Sequence, residues 1–231
     1  MFTRYINVPD EVIIPNGDVV LVVGPEKLRI QVSSQFLTLA SPVFGAMLNL
    51  KFSEGIRLHE SNELPVDIKL PEDDGVATAQ ALKTLHGSDP KMLFLNPDQI
   101  QKVSIVVDKY DMSSRFALAA IAWMHDPITL EQAWKLMTAS YWFDNQDGFR
   151  WMSEHIVSKL NHAQIFHLAN ETYDVALGLK LGMAVLLLHY SLSQRMAHPK
   201  GGLCLRCFKI SAIDPVGMQP GCPYPYNHRS G

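Results

Sequence analysis

The sequence predicts an α+β domain followed by an all-helical region and a tail rich in Cys, Pro and Gly. Three observations carry this. Runs with strand character, such as Val19–Val23 and Val66–Leu70, fall only in the first third of the chain. Helical periodicity with capping residues dominates from there to about Met196. After His198-Pro199-Lys200-Gly201-Gly202 the composition shifts and no lasting periodicity remains. Strands and short helices followed by helices alone argue for a mixed first domain and a helical second part. The expected divisions are 14–125, 126–198 and 199–231.

Residues 1–16 read as a leader, and Asn16-Gly17-Asp18 as a turn. Val19-Val20-Leu21-Val22-Val23 is a β-branched run ending at Gly24-Pro25. Leu28, Ile30 and Val32 then alternate with Arg29 and Gln31, the period of a second strand, and the two form a hairpin. Ser33 or Ser34 caps a short helix carrying Phe36, Leu37 and Ala40. Ser41-Pro42 places a capping hydroxyl before a proline whose missing N–H costs nothing in the first turn. Val43, Phe44, Met47 and Leu48 share the apolar face of that helix and are expected in the core.

Val66, Ile68 and Leu70 alternate as a third strand. Asp73-Asp74 caps a helix with Val76, Ala79, Leu82 and Leu85 inward, ended by Gly87. Adjacent carboxylates after a strand are a cap rather than a catalytic acid pair. Asn96-Pro97 opens a helix with Ile100, Val103, Val106, Val107 and Tyr110 on one face. Phe116 to Trp123 form the next, and Asp126-Pro127 breaks the pattern. Thr129 and Gln132 make a capping box for a helix burying Trp134, Met137 and Tyr141. Phe149, Met152, Ile156 and Leu160 share the following helix, and two or three more run from Ala163 to Met196. Trp123, Trp134, Trp142 and Trp151 are read as interior or inter-helix packing rather than a base-stacking platform, since no basic groove accompanies them.

Composition narrows the function classes. The 231 residues are 47% hydrophobic and 19% charged, enough apolar content to fold, and the net charge is −3. Without a Lys/Arg run, neither nucleic acid nor an anionic membrane is an expected partner. Leu181 to Leu188 is the most apolar run, bracketed by Lys180 and His189, and falls short of the roughly 20 residues that cross a bilayer. It reads as a buried helix. Met1 to Asp10 lacks a secretory pattern, and three cysteines after residue 200 do not make a disulfide framework, so a reduced cytoplasmic or nuclear setting is expected. Glycine-rich phosphate loops, G-x-S-x-G and H-E-x-x-H are absent, and His155, His162 and His167 are scattered without a pattern.

The tail carries the one metal-ligand pattern. Cys204, Cys207, Cys222 and His228 are spaced C-x2-C-x14-C-x5-H. A C-x2-C turn lets two thiolates approach one tetrahedral Zn2+, and such a clip would order a tail this rich in Gly and Pro. His198 is an alternative fourth ligand. The competing readings are three unliganded thiols, redox use of Cys204 and Cys207, or zinc-dependent hydrolysis in the tail. No strand precedes the C-x2-C in a thioredoxin-like arrangement, which disfavours redox use.

The first 125 residues resemble a known family. Gly17-Asp18-Val19-Val20-Leu21-Val22-Val23, Ile30-Gln31-Val32-Ser33-Ser34-Gln35-Phe36-Leu37 and Ser41-Pro42-Val43-Phe44-Gly45-Ala46-Met47-Leu48 resemble the opening of BTB/POZ domains. Ile68-Lys69-Leu70-Pro71-Glu72-Asp73-Asp74 and Leu82-Lys83-Thr84-Leu85-His86-Gly87 are similar to the variants common in filamentous fungi. Val106-Val107-Asp108-Lys109-Tyr110-Asp111 resembles the family's late helix. The resemblance implies a small sheet flanked by helices, used for homodimeric pairing or for docking a protein partner, without catalysis. Asp18 matches the aspartate lining a charged groove in dimeric transcriptional members, while Ser34 stands where they carry a basic residue. Phe52-Ser53-Glu54 matches the hydrophobic-x-Glu motif by which some members recruit a cullin scaffold as ubiquitin-ligase substrate adaptors. The expected function is therefore an interaction adaptor, with Phe52, Glu54 and Asp18 as partner-binding candidates. A transcription-associated scaffold with a zinc-stabilised tail is the alternative.

Overall fold

A computed structural model describes residues 8–60, 65–193, 201–224 and 228. Its chain divides into two compact units, residues 1–95 with 102–119, and residues 96–101 with 120–231. Together they make a mixed α/β protein: one small sheet, otherwise helices.

In the first unit the sheet has the order β1-β3-β2-β4, with β1 Glu11–Val12, β2 Val19–Val23, β3 Leu28–Val32 and β4 Val66–Leu70. β2 and β3 form the expected antiparallel hairpin, Val23 opposite Leu28. β4 then joins β2 in parallel, Val19 beside Val66, and β1 joins β3 in parallel. Val19, Leu21 and Val23 are buried together with Val66, Ile68 and Leu70, and Val20 is buried as well. A central strand covered on both faces explains why β2 is apolar throughout instead of alternating. Arg29 reaches across to Asp67 with two hydrogen bonds of 2.9 and 2.8 Å. β1 lies inside the segment read as a leader. It is two residues long and is held by its partner: Asp10 N–H donates to Arg29 O, and Arg29 N–H donates to the Asp10 carboxylate.

The first-unit helices are α1 Ser34–Ala40, α2 Pro42–Met47, α3 Ser53–Glu60 and α4 Gly75–His86. Their caps are those the sequence predicts. Ser33 caps α1, Ser41 caps α2 ahead of Pro42, Asp74 caps α4, and left-handed Gly87 (φ 73°) ends it. Ser41 does a second job, its hydroxyl donating to Tyr110 O at 2.6 Å. α5, Pro97–Lys109, contributes its later turns here and buries Val103, Val106, Val107 and, just beyond, Tyr110. The Tyr110 ring stacks on Phe44 at 4.2 Å, and its hydroxyl donates to the buried Asp73 carboxylate, which Lys109 also pairs.

Three core expectations are corrected. Val43 is exposed and Met47 half-buried, because only the Phe44 and Leu48 side of α2 meets the sheet unit. Val76 is exposed at the start of α4, where Ala77, Ala79, Ala81 and Leu82 are the buried residues. Trp151 is also exposed, whereas Trp123 and Trp134 are interior.

The second unit takes in the first turn of α5 and contains α7 Leu130–Trp142, α8 Gln146–Ser158, α9 His162–Asn170, α10 Val175–Ser193 and α11 Leu205–Ile210; α6, Ala117–Ala122, precedes them and is shared between the units. The Thr129–Gln132 capping box is present in both directions. Lys135 on α7 pairs with Asp98 at 2.6 Å, and Gln101 donates to Thr138 at 2.7 Å. Trp134 donates its indole N–H to Thr172. α10 is longer than the apolar run read from sequence: by length and composition alone its 19 residues are enough to cross a membrane. Leu177, Leu181, Ala184, Val185 and Leu188 are buried, and another side of the helix is not.

The tail, where the sequence shows no lasting periodicity, nevertheless holds one helix, α11. α11 packs on α8, burying Phe208 against Phe149 and Tyr141. Lys180 donates to Phe208 O at 2.6 Å and sits over its ring, and Lys209 pairs with Asp144.

A candidate metal centre and an apolar groove

The metal-ligand pattern is assembled by the docking of the tail on α8. Gly202 passes so close that a Cβ there would lie 1.9 Å from Arg150 O, so the approach needs glycine. Leu203 N–H then donates to the buried Ser153 hydroxyl at 2.7 Å. This fixes Cys204 at the N-terminal boundary of α11, and one helical turn brings Cys207 beside it. Cys222 and His228 return to the same place from the end of the tail.

All four candidate donor atoms, Cys204 Sγ, Cys207 Sγ, Cys222 Sγ and a His228 ring nitrogen, lie within 4.8 Å of one another. Cys204 and Cys222 sulfurs are 3.7 Å apart, and His228 Nε2 lies 3.3 Å from Cys207 and 3.6 Å from Cys222. A tetrahedral Zn2+ with Zn–S of about 2.3 Å and Zn–N of about 2.0 Å needs S···S edges near 3.8 Å and S···N edges near 3.5 Å. The three edges of 3.7, 3.3 and 3.6 Å are close to those lengths, and no donor pair is more than 4.8 Å apart. Cys204 and Cys207 are buried and Cys222 half-buried, and none of the three is in a disulfide.

Around the donors the backbone supplies hydrogen bonds suited to thiolates. Gln219 N–H donates to Cys207 Sγ at 3.3 Å, and Tyr224 N–H to Cys222 Sγ at 3.4 Å. Burial pushes the Cys204 thiol up and the Cys207 thiol up to about 12. Cys222 also feels desolvation, but the Tyr224 amide, the neighbouring thiols and the charge of Arg206 bring it below its ordinary value. Burial lowers His228, which favours the neutral imidazole a metal requires. Burial of Cys204 and Cys207 disfavours a free thiolate there, which weighs against redox chemistry. Four protein donors around one Zn2+ would leave no open coordination position, which weighs against zinc hydrolysis.

All four tail residues singled out from sequence are thus brought together, and His198 lies outside the described residues. Sequence reasoning missed the supporting residues Gly202, Ser153 and Gln146, whose Oε1 accepts from Arg206 N–H. No local pattern marks them, because each acts on a residue 50 or more positions away in the chain.

In the first unit, Phe52 is 52% exposed at the start of α3, and Glu54 sits in that helix's first turn. Both line an open groove of about 540 Å³ together with Pro42, Val43, Met47 and Asp111. The Val43 side of α2 that the core leaves uncovered is therefore a groove wall. Glu54's own amide, reinforced by the Ser53 hydroxyl at 2.9 Å, holds its carboxyl below the usual range, so it is anionic at neutral pH.

Asp18 is used differently. Its two carboxylate oxygens accept from Ser34 N–H at 2.7 Å and Ser34 Oγ at 2.6 Å, joining the start of β2 to the start of α1. It does not border the groove.

No protein-family model matches the chain, and no curated protein matches its sequence.

Proposed function

We propose that the chain is a non-catalytic protein-interaction adaptor of BTB/POZ type, acting through the Phe52–Glu54 groove, with a C-terminal tail clipped by one structural Zn2+. The observation that carries the adaptor reading is Phe52 itself: half-exposed at the mouth of an apolar groove with an anionic Glu54 beside it. An aromatic anchor that folding leaves uncovered next to a charged acceptor suits an interface hot spot. The small mixed sheet and its capped helices agree with the resemblance of the first 125 residues, and a cullin scaffold is the partner that resemblance suggests.

Light scattering of the purified chain with excess cullin N-terminal domain tests this. The expected result is a stoichiometric complex lost in both Phe52→Ala and Glu54→Ala. A complex that survives both substitutions, or none with the unaltered chain, removes the cullin reading.

The zinc reading is supported by the clustering of the Cys204, Cys207, Cys222 and His228 donor atoms within 4.8 Å, three of their separations being near tetrahedral edge lengths. Elemental analysis should return one zinc per chain, and Co2+ in its place should show the visible bands of a tetrahedral thiolate site. Cys222→Ser should lose both. An unaltered chain purified without metal, and unable to take up Co2+, overturns it.

A further inference from the structure

We propose that the exposed face of α9 and α10 is a homodimer interface, the partner being a second copy of this chain. The inference does not rest on the groove or on the metal. Among the described residues, Phe166, Leu179, Met183, Leu186 and Leu187 line one open apolar surface and Tyr190 follows on α10, with Phe166, Met183 and Tyr190 each at least 60% exposed. At roughly 200 Å² for a fully exposed large side chain, their fractional exposures amount to about 600 Å² per chain, at the top of the roughly 300–600 Å² of the largest patch on a typical monomer. It is about three-quarters of the roughly 800 Å² that each partner gives to a standard interface.

Three features select a second copy. Leu179, Met183, Leu186 and Tyr190 follow a 4-3-4 spacing, the seam by which one helix packs along another. The same patch holds both projections and a recess: beside Phe166 and Met183 runs a groove of about 330 Å³ over Ala169 and Gly182. A two-fold axis through such a patch places each chain's projections in the other's recess, the self-complementarity an isologous contact requires. Charge is the third. Lys180 is the one Lys, Arg, Asp or Glu on α10, and it turns to Phe208 O. Two copies therefore meet without like-charge repulsion, and a charged partner would gain nothing. A bilayer surface is the less suitable occupant, because helices lying on membranes carry a basic polar face and α10 has none.

Sedimentation velocity of the full chain from about 1 to 100 µM, with hydrogen exchange at both ends of that range, tests the proposal. The expected result is a monomer–dimer equilibrium, with α9 and α10 amides gaining protection as concentration rises. Met183→Asp and Tyr190→Asp, both at exposed positions, should weaken the dimer at least 100-fold with unchanged thermal melting at concentrations where the parent is monomeric, and Phe52→Ala should leave the dimer intact. A monomer at every concentration overturns the proposal. So does a dimer that keeps its affinity in the aspartate variants, or whose exchange protection falls in the first unit. A chain that stays monomeric and floats with neutral phosphatidylcholine vesicles overturns it in favour of the membrane.

Discussion

Phe208→Ala should cost the second unit about 3–5 kcal/mol. The ring is fully buried, packed at 5.3 Å from Phe149 and 5.9 Å from Tyr141 between ring centroids. Removing a buried phenyl of about 150–200 Å² at ~25 cal/mol/Å² forfeits about 4–5 kcal/mol of transfer free energy, an upper figure because unfolded chains already bury some of it. The Lys180 ammonium, 4.7 Å from the ring centroid, loses a cation–π contact worth roughly 1 kcal/mol but keeps its bond to Phe208 O. All four tryptophans lie in the second unit, so urea unfolding followed by tryptophan fluorescence reports that unit selectively. The midpoint should fall with little change in slope, and Ile213→Ala, at a position 94% exposed, should stay within about 0.5 kcal/mol of the parent. A loss below about 1 kcal/mol for Phe208→Ala would refute the docking of the tail on α8, and with it the platform on which Cys204 and Cys207 are placed.

Other substitutions test other joints. Burial, and then the hydrogen bond to Asp73, raise Tyr110 above the usual phenol range, so its contribution is complete below the unfolded value of about 10 and declines as pH climbs through the folded one. Denaturant titrations between pH 8 and 11 should therefore show stability falling at the alkaline end, with a smaller fall in Tyr110→Phe. At pH 8 the same variant should be about 1.5–3 kcal/mol less stable, because the buried Asp73 carboxylate loses a donor. Ser41→Ala removes both the cap on Phe44 N–H and the bond to Tyr110 O, and a loss of about 2–3 kcal/mol by chemical denaturation is expected. Gly202→Ala should raise amide exchange at Leu203 and Cys204 and weaken Co2+ uptake, whereas Gly201→Ala, where a Cβ meets nothing, should do neither.

Much of this architecture was legible locally. The strands showed because their alternation matches the pleat, and the caps of α1, α2, α4 and α7 because a hydroxyl or carboxylate before an apolar run has few other uses. The four candidate metal ligands showed because chelation imposes a recognisable spacing. Coverage did not show. Helical periodicity groups Val43 with Phe44 and Met47, but which part of an apolar face finds a partner is settled by packing of distant elements. The same ambiguity hid the open side of α10, whose apolar residues surround the helix so completely that no period distinguishes inside from outside. β1 was invisible because two residues carry no pattern, and its existence depends on β3. The tail's order was invisible because its anchors, Ser153 and Lys180, belong to other helices.

The pairing of β2 with two very different neighbours also bears on how the chain reaches its native state. β3 follows β2 after a short turn, so the hairpin can close on the microsecond scale typical of such units. β4 reaches the opposite edge of β2 only after α1, α2 and α3 have been traversed, and that parallel pairing must meet the entropy of closing the whole intervening segment. Completion of the sheet is thus expected to be the slow event in this unit's folding. Until β4 arrives, one edge of the most apolar strand in the protein stays unpaired. That interval is when this chain is most open to association through strand edges.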